Sequence, residues 1–157
     1  MTLSLVRVDD RLVHGQVVVG WVQALGAKRI LVVDDDLADN VWERELYALG
    51  VPPGLAVDFT PVSTAPALIA DAIRAAERTI VLVANVESAV RLCAATHDVK
   101  RLNIGGLHNG DGRTKRLPYV YMTADEAAQL RALRETGIEV AAQDVPTARP
   151  VPLEELL

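Results

Sequence analysis

Val6-Arg7-Val8-Asp9-Asp10-Arg11-Leu12-Val13-His14-Gly15-Gln16-Val17 is the stretch on which the reading of this chain turns. The apolar run from Leu3 to Val8 reads as a buried strand. Two carboxylates and an arginine follow, then a histidine, a glycine and an apolar run that suits a largely buried helix. His14 therefore sits where a strand ends and a helix begins. In an open α/β sheet that edge is where ligands bind. A helix N-terminus offers free backbone N–H groups and a partial positive charge, which suit a phosphate. Gly15 lets backbone approach closely, because no Cβ stands in the way. A neutral imidazole has a lone pair that can attack phosphorus and hold the phosphoryl group. Its other nitrogen needs an acceptor, and Asp9, Asp10 or a loop carbonyl can supply one. Arg11 can meet phosphoryl oxygens with its planar fork. On residue types alone a solvated or capping histidine is a better reading of the block than a nucleophile, and Asp-Asp after a strand is ordinary turn chemistry.

Outward from this stretch, strands and helices alternate. Gly15 to Leu25 reads as a helix closed by Gly26. Its polar positions Gln16, Gly20 and Gln23 form one narrow stripe, so partial burial with an oligomer contact is expected. Arg29–Val33 is the second strand, and Asp34-Asp35-Asp36 ends it. Three acids there suit a hard cation or the cap of the next helix, from about Asp39 to Leu49; capping is the expected role. Leu55–Thr60 is the third strand. A helix from Ser63 to Ala76 is expected to bury Ala67, Ile69, Ala70, Ile73 and Ala76. Thr79–Val83 is the fourth strand, apolar throughout as in a parallel sheet covered on both faces. Asn85 caps a helix to about Thr96, in which Cys93 reads as a small core residue. His97 follows as a surface histidine.

Arg101–Ile104 is the fifth strand, followed by a loop with four glycines between Gly105 and Gly112. His108 in that loop reads as a solvated histidine, with proton shuttling as the other role open to it. Arg113, Lys115 and Arg116 form a small basic cluster, read as a solvated face or a contact for an acidic partner. Leu117–Tyr121 lies too close to the fifth strand for a helical crossover, so the two are expected to pair antiparallel. Thr123 with Glu126 spells a capping box. It starts a helix to Thr136 with Ala127, Leu130 and Leu133 inward. Glu139–Val145 is the last strand, and prolines keep the tail irregular up to a short turn at 153–157. The expected architecture is a single α/β domain over residues 1–157. It has an open, mainly parallel, twisted sheet of about seven strands, helices on both faces and one antiparallel strand.

Composition narrows the function. A chain of 157 residues, half of them hydrophobic, can bury one real core. A net charge of −5 argues against nucleic-acid binding and against docking by a polybasic membrane patch. One cysteine excludes an internal disulfide. No stretch approaches the ~20 apolar residues of a membrane span. The N-terminal apolar run is too short for a signal peptide. A cytoplasmic protein is expected.

The segment VRVDDRLVHGQVVVGWV, residues 6–22, resembles the active-site segment of IIB subunits of the mannose/fructose/sorbose group of the phosphoenolpyruvate-dependent sugar phosphotransferase system. Residues 30–54, ILVVDDDLADNVWERELYALGVPPG, are also similar to that family. So are Leu102-Asn103-Ile104-Gly105-Gly106-Leu107-His108 and Tyr119-Val120-Tyr121-Met122-Thr123. The resemblance implies a phosphohistidine–sugar phosphotransferase component. His14 would accept a phosphoryl group, on Nδ1, from the phosphohistidine of a IIA subunit. It would pass the group to a sugar held by the membrane subunits IIC and IID, leaving this chain peripheral to the membrane. The resemblance also places Asn103, Gly105 and Gly106 near the pocket. Asp34 departs from the polar uncharged residue that the family often carries there, and a carboxylate beside phosphohistidine would repel it. The candidate catalytic residues are His14, Arg11 and Asp10. The candidate phosphoryl-binding residues are Gly15, Asp9, Asn103, Gly105 and Gly106. No metal or cofactor is expected, and a homo-oligomer is compatible with the sequence. Two other readings share the same residues: a phosphohistidine-carrying regulatory module, and an unrelated phosphate-binding enzyme with His14 as general base.

Overall fold

Valine, isoleucine and leucine in short runs build the sheet, and alternate residues of each run face opposite layers. A computed structural model describes residues 3–157. Seven strands make the main sheet: β1 (Leu5–Asp9), β2 (Arg29–Val33), β3 (Ala56–Thr60), β4 (Thr79–Val83), β5 (Arg101–Gly106), β8 (Glu139–Ala142) and β9 (Val151–Pro152). The remaining two, β6 (Thr114–Leu117) and β7 (Val120–Met122), stand apart as a hairpin. The order across the main sheet is β3-β2-β4-β1-β5-β8-β9. All neighbours run parallel except β8 and β9.

One face of the sheet carries α4 (Ala65–Arg74), α5 (Val86–Ala95) and α6 (Ala124–Glu135). Val6, Val8, Val81, Val83 and Ile104 pack there against Ile69, Leu92 and Leu130. The other face carries a π-helical turn, Gln16–Trp21, which runs on into α1 (Val22–Leu25). Ile30, Val32, Ile80 and Leu82 pack there against Val17, Val18 and Trp21. In β1 the alternation that sends Val6 and Val8 to the first face puts Arg7 and Asp9 on the side of the π-helical turn. Both are fully buried. The segment after β1 crosses one face towards β2, and α6 links β5 towards β8 on the other. The crevice between the carboxyl ends of β1 and β5 is thus a topological switch point.

Several expectations need correcting. The helix expected from Gly15 begins as a π-turn: the Val22 amide reaches back five residues to the Val17 carbonyl. Val17, Val18 and Trp21 are buried, but Val19 is exposed. The helix expected from Asp39 is two pieces, α2 (Asp35–Ala38) and α3 (Val41–Leu49). Asp34 caps the first of them, its carboxylate accepting from the Leu37 amide at 2.9 Å, and Asn40 caps the second. On α4 the buried side is Ala65, Ile69 and Ala72, whereas Ala67 and Ala76 face solvent.

Residues 117–121 do not pair antiparallel with β5. Pro118 and Tyr119 form the turn of the β6–β7 hairpin. A parallel bridge, Leu107 to Val120, ties that hairpin to the end of β5. The antiparallel member of the main sheet is β9 instead, in the tail whose prolines suggest irregular structure. Pro152 sits on the outermost strand, where its missing N–H costs no ladder bond. Of the basic cluster Lys115 is a solvated side chain, but the two arginines are half-buried and engaged. Arg113 forks onto Glu126 at 3.1 Å, and Arg116 Nη1 donates to the Leu156 carbonyl at 3.0 Å.

The capping box is present: Thr123 accepts from the Glu126 amide at 3.0 Å and Glu126 from the Thr123 amide at 2.9 Å. Thr123→Ala is expected to lower the unfolding free energy by about 1 kcal/mol. A shift in the urea midpoint at unchanged m-value checks it.

Candidate functional site

The site is built on Asp9, the last residue of β1. Its carboxylate is fully buried yet takes four side-chain contacts and one amide. Oδ2 accepts from Arg7 Nε at 3.3 Å, Arg11 Nη2 at 3.1 Å and His14 Nε2 at 2.8 Å. Oδ1 accepts from Arg11 Nε and from the Arg11 amide, both at 3.1 Å. Burial by itself would push the Asp9 carboxyl up, but the hydrogen bonds from His14 and Arg11 outweigh it. The group is held down at about 2.

The chain can fold back on Asp9 because the loop turns sharply. The Leu12 amide donates to the Asp9 carbonyl at 3.0 Å, and Leu12 lies in the left-handed region at φ 55°. A leucine is held there against its preference because its side chain is buried against the π-helical turn. Two residues on, the imidazole is brought over the carboxylate, with 17% of its side-chain surface exposed. The His14 carbonyl then accepts the amides of Val17 and Val18 and starts the π-turn. Such turns recur at functional sites, where they re-aim a side chain without ending the helix.

Arg7 lies beneath. All five of its N–H groups have acceptors: Asp9, Asn103 Oδ1 at 2.6 Å, and the carbonyls of Gln143 (2.8 Å), Gly105 (3.3 Å) and Asp144 (3.0 Å). Its Cζ stands 5.1 Å from the centre of the Trp21 ring, whose Nε1 donates to the same Asp144 carbonyl. Burial lowers the pKa of the guanidinium, and Asp9 works against that shift. The candidate residues named from the sequence omit Arg7, although it leaves a signal there: a lone cation between two valines in a strand expected to be buried. They omit Gln16 too. Its Oε1 accepts from Arg11 Nη2 at 2.8 Å, so Arg11 bridges Asp9 to the first residue of the π-turn.

The other candidates fall into two groups. Gly105 and Gly106 belong to β5 rather than to a flexible loop. A Cβ at 105 would coincide with the Arg7 guanidinium, and one at 106 would stand 3.2 Å from both Arg11 and Asp9. Together with Asn103 they make room for the arginines that hold Asp9. Gly15 has αR backbone, and its missing side chain leaves open space. Asp10 does not reach the His14 ring. It turns to the end of β5, where its carboxylate holds His108 by the ring and by the backbone amide. Asp34 and Asp35 are occupied elsewhere, as the α2 cap and as an acceptor for the Val62 amide. Among the described residues, no cluster of three metal-ligating side chains occurs. Cys93 is half-buried, and burial pushes its thiol up to about 11, which suits a core residue and not a nucleophile.

Fold and site together define an α/β protein that presents one oriented histidine at the carboxyl edge of a parallel sheet. The sequence model described as "PTS system sorbose subfamily IIB component" matches residues 3–157. The chain belongs to that family, the IIB components that act in sugar phosphotransfer. It is 34% identical to the N-acetylgalactosamine-specific phosphotransferase enzyme IIB component 2 of Escherichia coli K12, over 99% of this chain and 98% of that protein. It is 27% identical to the mannose-specific EIIAB component of the same organism, matching all of this chain but 49% of that longer protein. Its fold superposes on the crystal structure of the IIBSor domain of the sorbose permease from Klebsiella pneumoniae with a TM-score of 0.89. That match has 26% identity and covers 99% of this chain and 96% of the other. No helix among the described residues is long and apolar enough to cross a membrane.

Proposed function

We propose that His14 is the phosphoryl carrier of this chain and uses Nδ1 as the nucleophile. The observation that carries this reading is the 2.8 Å contact between His14 Nε2 and Asp9 Oδ2. Asp9, held at about 2, is ionised at neutral pH and can only accept. Nε2 must therefore carry the ring proton, and in the neutral ring the lone pair lies on Nδ1.

The donor is the phosphohistidine of a IIA subunit. The name EIIAB of the mannose-specific relative supports that partner. Nδ1 attacks phosphorus in line, the P–N bond to the donor breaks and the P–Nδ1 bond forms. Positive charge that develops on the ring faces the Asp9 carboxylate, so positioning and electrostatics supply the catalysis. Arg11 steadies Asp9 through Nε and Nη2. Among the described residues its Nη1 has no protein partner, which leaves it to meet phosphoryl oxygens. The phosphoryl group then passes to a sugar held by IIC and IID membrane subunits, with this chain docked on them from the cytoplasm. The relatives are named for N-acetylgalactosamine, mannose and sorbose, so the acceptor is a hexose or an N-acetylated amino sugar.

Intact-mass spectrometry at alkaline pH, after incubation with phosphorylated IIA, tests this. The expected result is the addition of one phosphoryl group to the wild type and none to His14→Gln. The variant should keep its fold, because Asp9 retains both arginines. Equal labelling of His14→Gln would assign the phosphoryl to another side chain and end the proposal.

A further inference from the structure

Asp9 and Asp10 are adjacent in sequence, and each holds a histidine. Asp9 takes Nε2 of His14. Asp10 takes Nδ1 of His108 at 2.6 Å through one oxygen and the His108 amide at 2.8 Å through the other. The Asp10 backbone is itself fixed, its amide donating to the Gly106 carbonyl at 3.0 Å. The His108 carbonyl accepts from Arg113 Nη1 at 2.8 Å, and Arg113 is anchored on Glu126. His108 is therefore a clamped side chain with 66% of its surface exposed, not a loose loop residue. With Nδ1–H given to the carboxylate, its Nε2 keeps the lone pair. The two rings are thus set in opposite tautomers.

His108 also shares a cavity of about 150 Å³ with Arg11, Gln16, Gly106, Tyr119 and Tyr121. Arg11 is the residue that bridges Asp9 to Gln16, so this cavity adjoins the His14 site.

We infer that the Asp10–His108 pair is the general base of the second half-reaction, the transfer from phosphorylated His14 to a sugar hydroxyl. This rests on the reading of His14 as the phosphoryl carrier. The two half-reactions differ in their protons. Transfer between two histidines releases none from an acceptor hydroxyl. Transfer to a hydroxyl does: the P–Nδ1 bond breaks, the P–O bond forms, and the hydroxyl proton goes to His108 Nε2. His14 is left neutral with its Nε2–H still on Asp9. The new imidazolium on His108 is balanced by Asp10 and, being exposed, returns its proton to water. A carboxylate that fixes the tautomer of a histidine base is the arrangement this chemistry calls for.

The test separates the half-reactions. Wild type, His108→Ala and Asp10→Asn are first labelled with phosphorylated IIA. Each is then chased with vesicles carrying IIC and IID and a radiolabelled hexose that the wild type converts to sugar phosphate. For His108→Ala the labelling rate should stay within about threefold of wild type. Formation of sugar phosphate should fall by about 10²-fold and recover on addition of free imidazole. Asp10→Asn should show a smaller loss in the same step. A chase rate for His108→Ala within threefold of wild type overturns the inference. So does an equal fall in both steps, or a loss that imidazole does not restore. No label on the wild type would overturn the carrier role of His14 and this inference with it, an outcome distinct from a normal label with a normal chase.

Discussion

Arg7→Met is expected to lower the unfolding free energy by about 3–5 kcal/mol, the scale for removing one partner from a buried charged network. Methionine fills similar volume and keeps contact with Trp21, so the loss reports the hydrogen bonds rather than a hole. It strands four acceptors besides Asp9: Asn103 Oδ1 and the carbonyls of Gln143, Gly105 and Asp144. Each buried acceptor left unpaired carries its own desolvation penalty. Arg7→Lys should restore little, because one ammonium has three donors from a single point and cannot reach five acceptors spread around a plane. Equilibrium urea unfolding followed by circular dichroism measures both. A loss below about 1 kcal/mol for Arg7→Met would show that the network contributes no net stability.

Short of losing His14 itself, Asp9→Asn should have the largest effect on chemistry, lowering the rate of phosphoryl acceptance by about 10²–10⁴-fold while the chain still folds. An asparagine amide can donate to the ring where the carboxylate could only accept. That favours the tautomer with the proton on Nδ1 and removes the lone pair that attacks. The same substitution alters the acid limb of stability. A carboxyl held at about 2 in the folded chain, against 3.8 ordinarily, stabilises the fold by about 2 kcal/mol. That contribution is fully present above about pH 4 and is lost as the pH falls towards 2. The Asp9→Asn variant should therefore show a flatter dependence of unfolding free energy on pH across that window. Quench-flow labelling by phosphorylated IIA gives the rate, and urea titrations between pH 2 and 5 give the limb. Unchanged labelling would mean that Asp9 does not orient the ring.

The sequence is most legible where one local rule acts alone. Thr79–Val83 has no polar interruption and lies between a charged turn and an asparagine cap, and its bounds as a strand are those observed. The capping box at Thr123 and the inward face of α6 follow from spacing alone. Legibility fails where tertiary contacts override local pattern. The tail prolines hide β9, because an edge strand tolerates proline and a two-residue ladder has no periodicity to read. The π-turn is invisible because its residues have the same apolar pattern as an α-helix. Its extra residue shows only in the bond register, where the Val22 amide reaches the Val17 carbonyl five residues back. In the site, His14 and Arg11 stand out as residue types, and residue types leave the choice between Asp9 and Asp10 open. Strand alternation settles it. Asp9 falls on the side of the π-helical turn that returns His14, while Asp10 lies one residue beyond the strand and turns towards β5. Arg7 escapes notice because a cation inside an apolar run reads as an exception rather than as the anchor of a network.

On the proposed mechanism one carboxylate serves both the scaffold and the reaction. Asp9 neutralises the cation that knits β1, β5 and the segment after β8 together, and the same carboxylate would set the proton on the phosphoryl-carrying ring. Such double employment narrows what drift can do at this position. A substitution that retunes the imidazole also loosens the centre of the sheet, so adjustment to a new donor or sugar is confined to the rim.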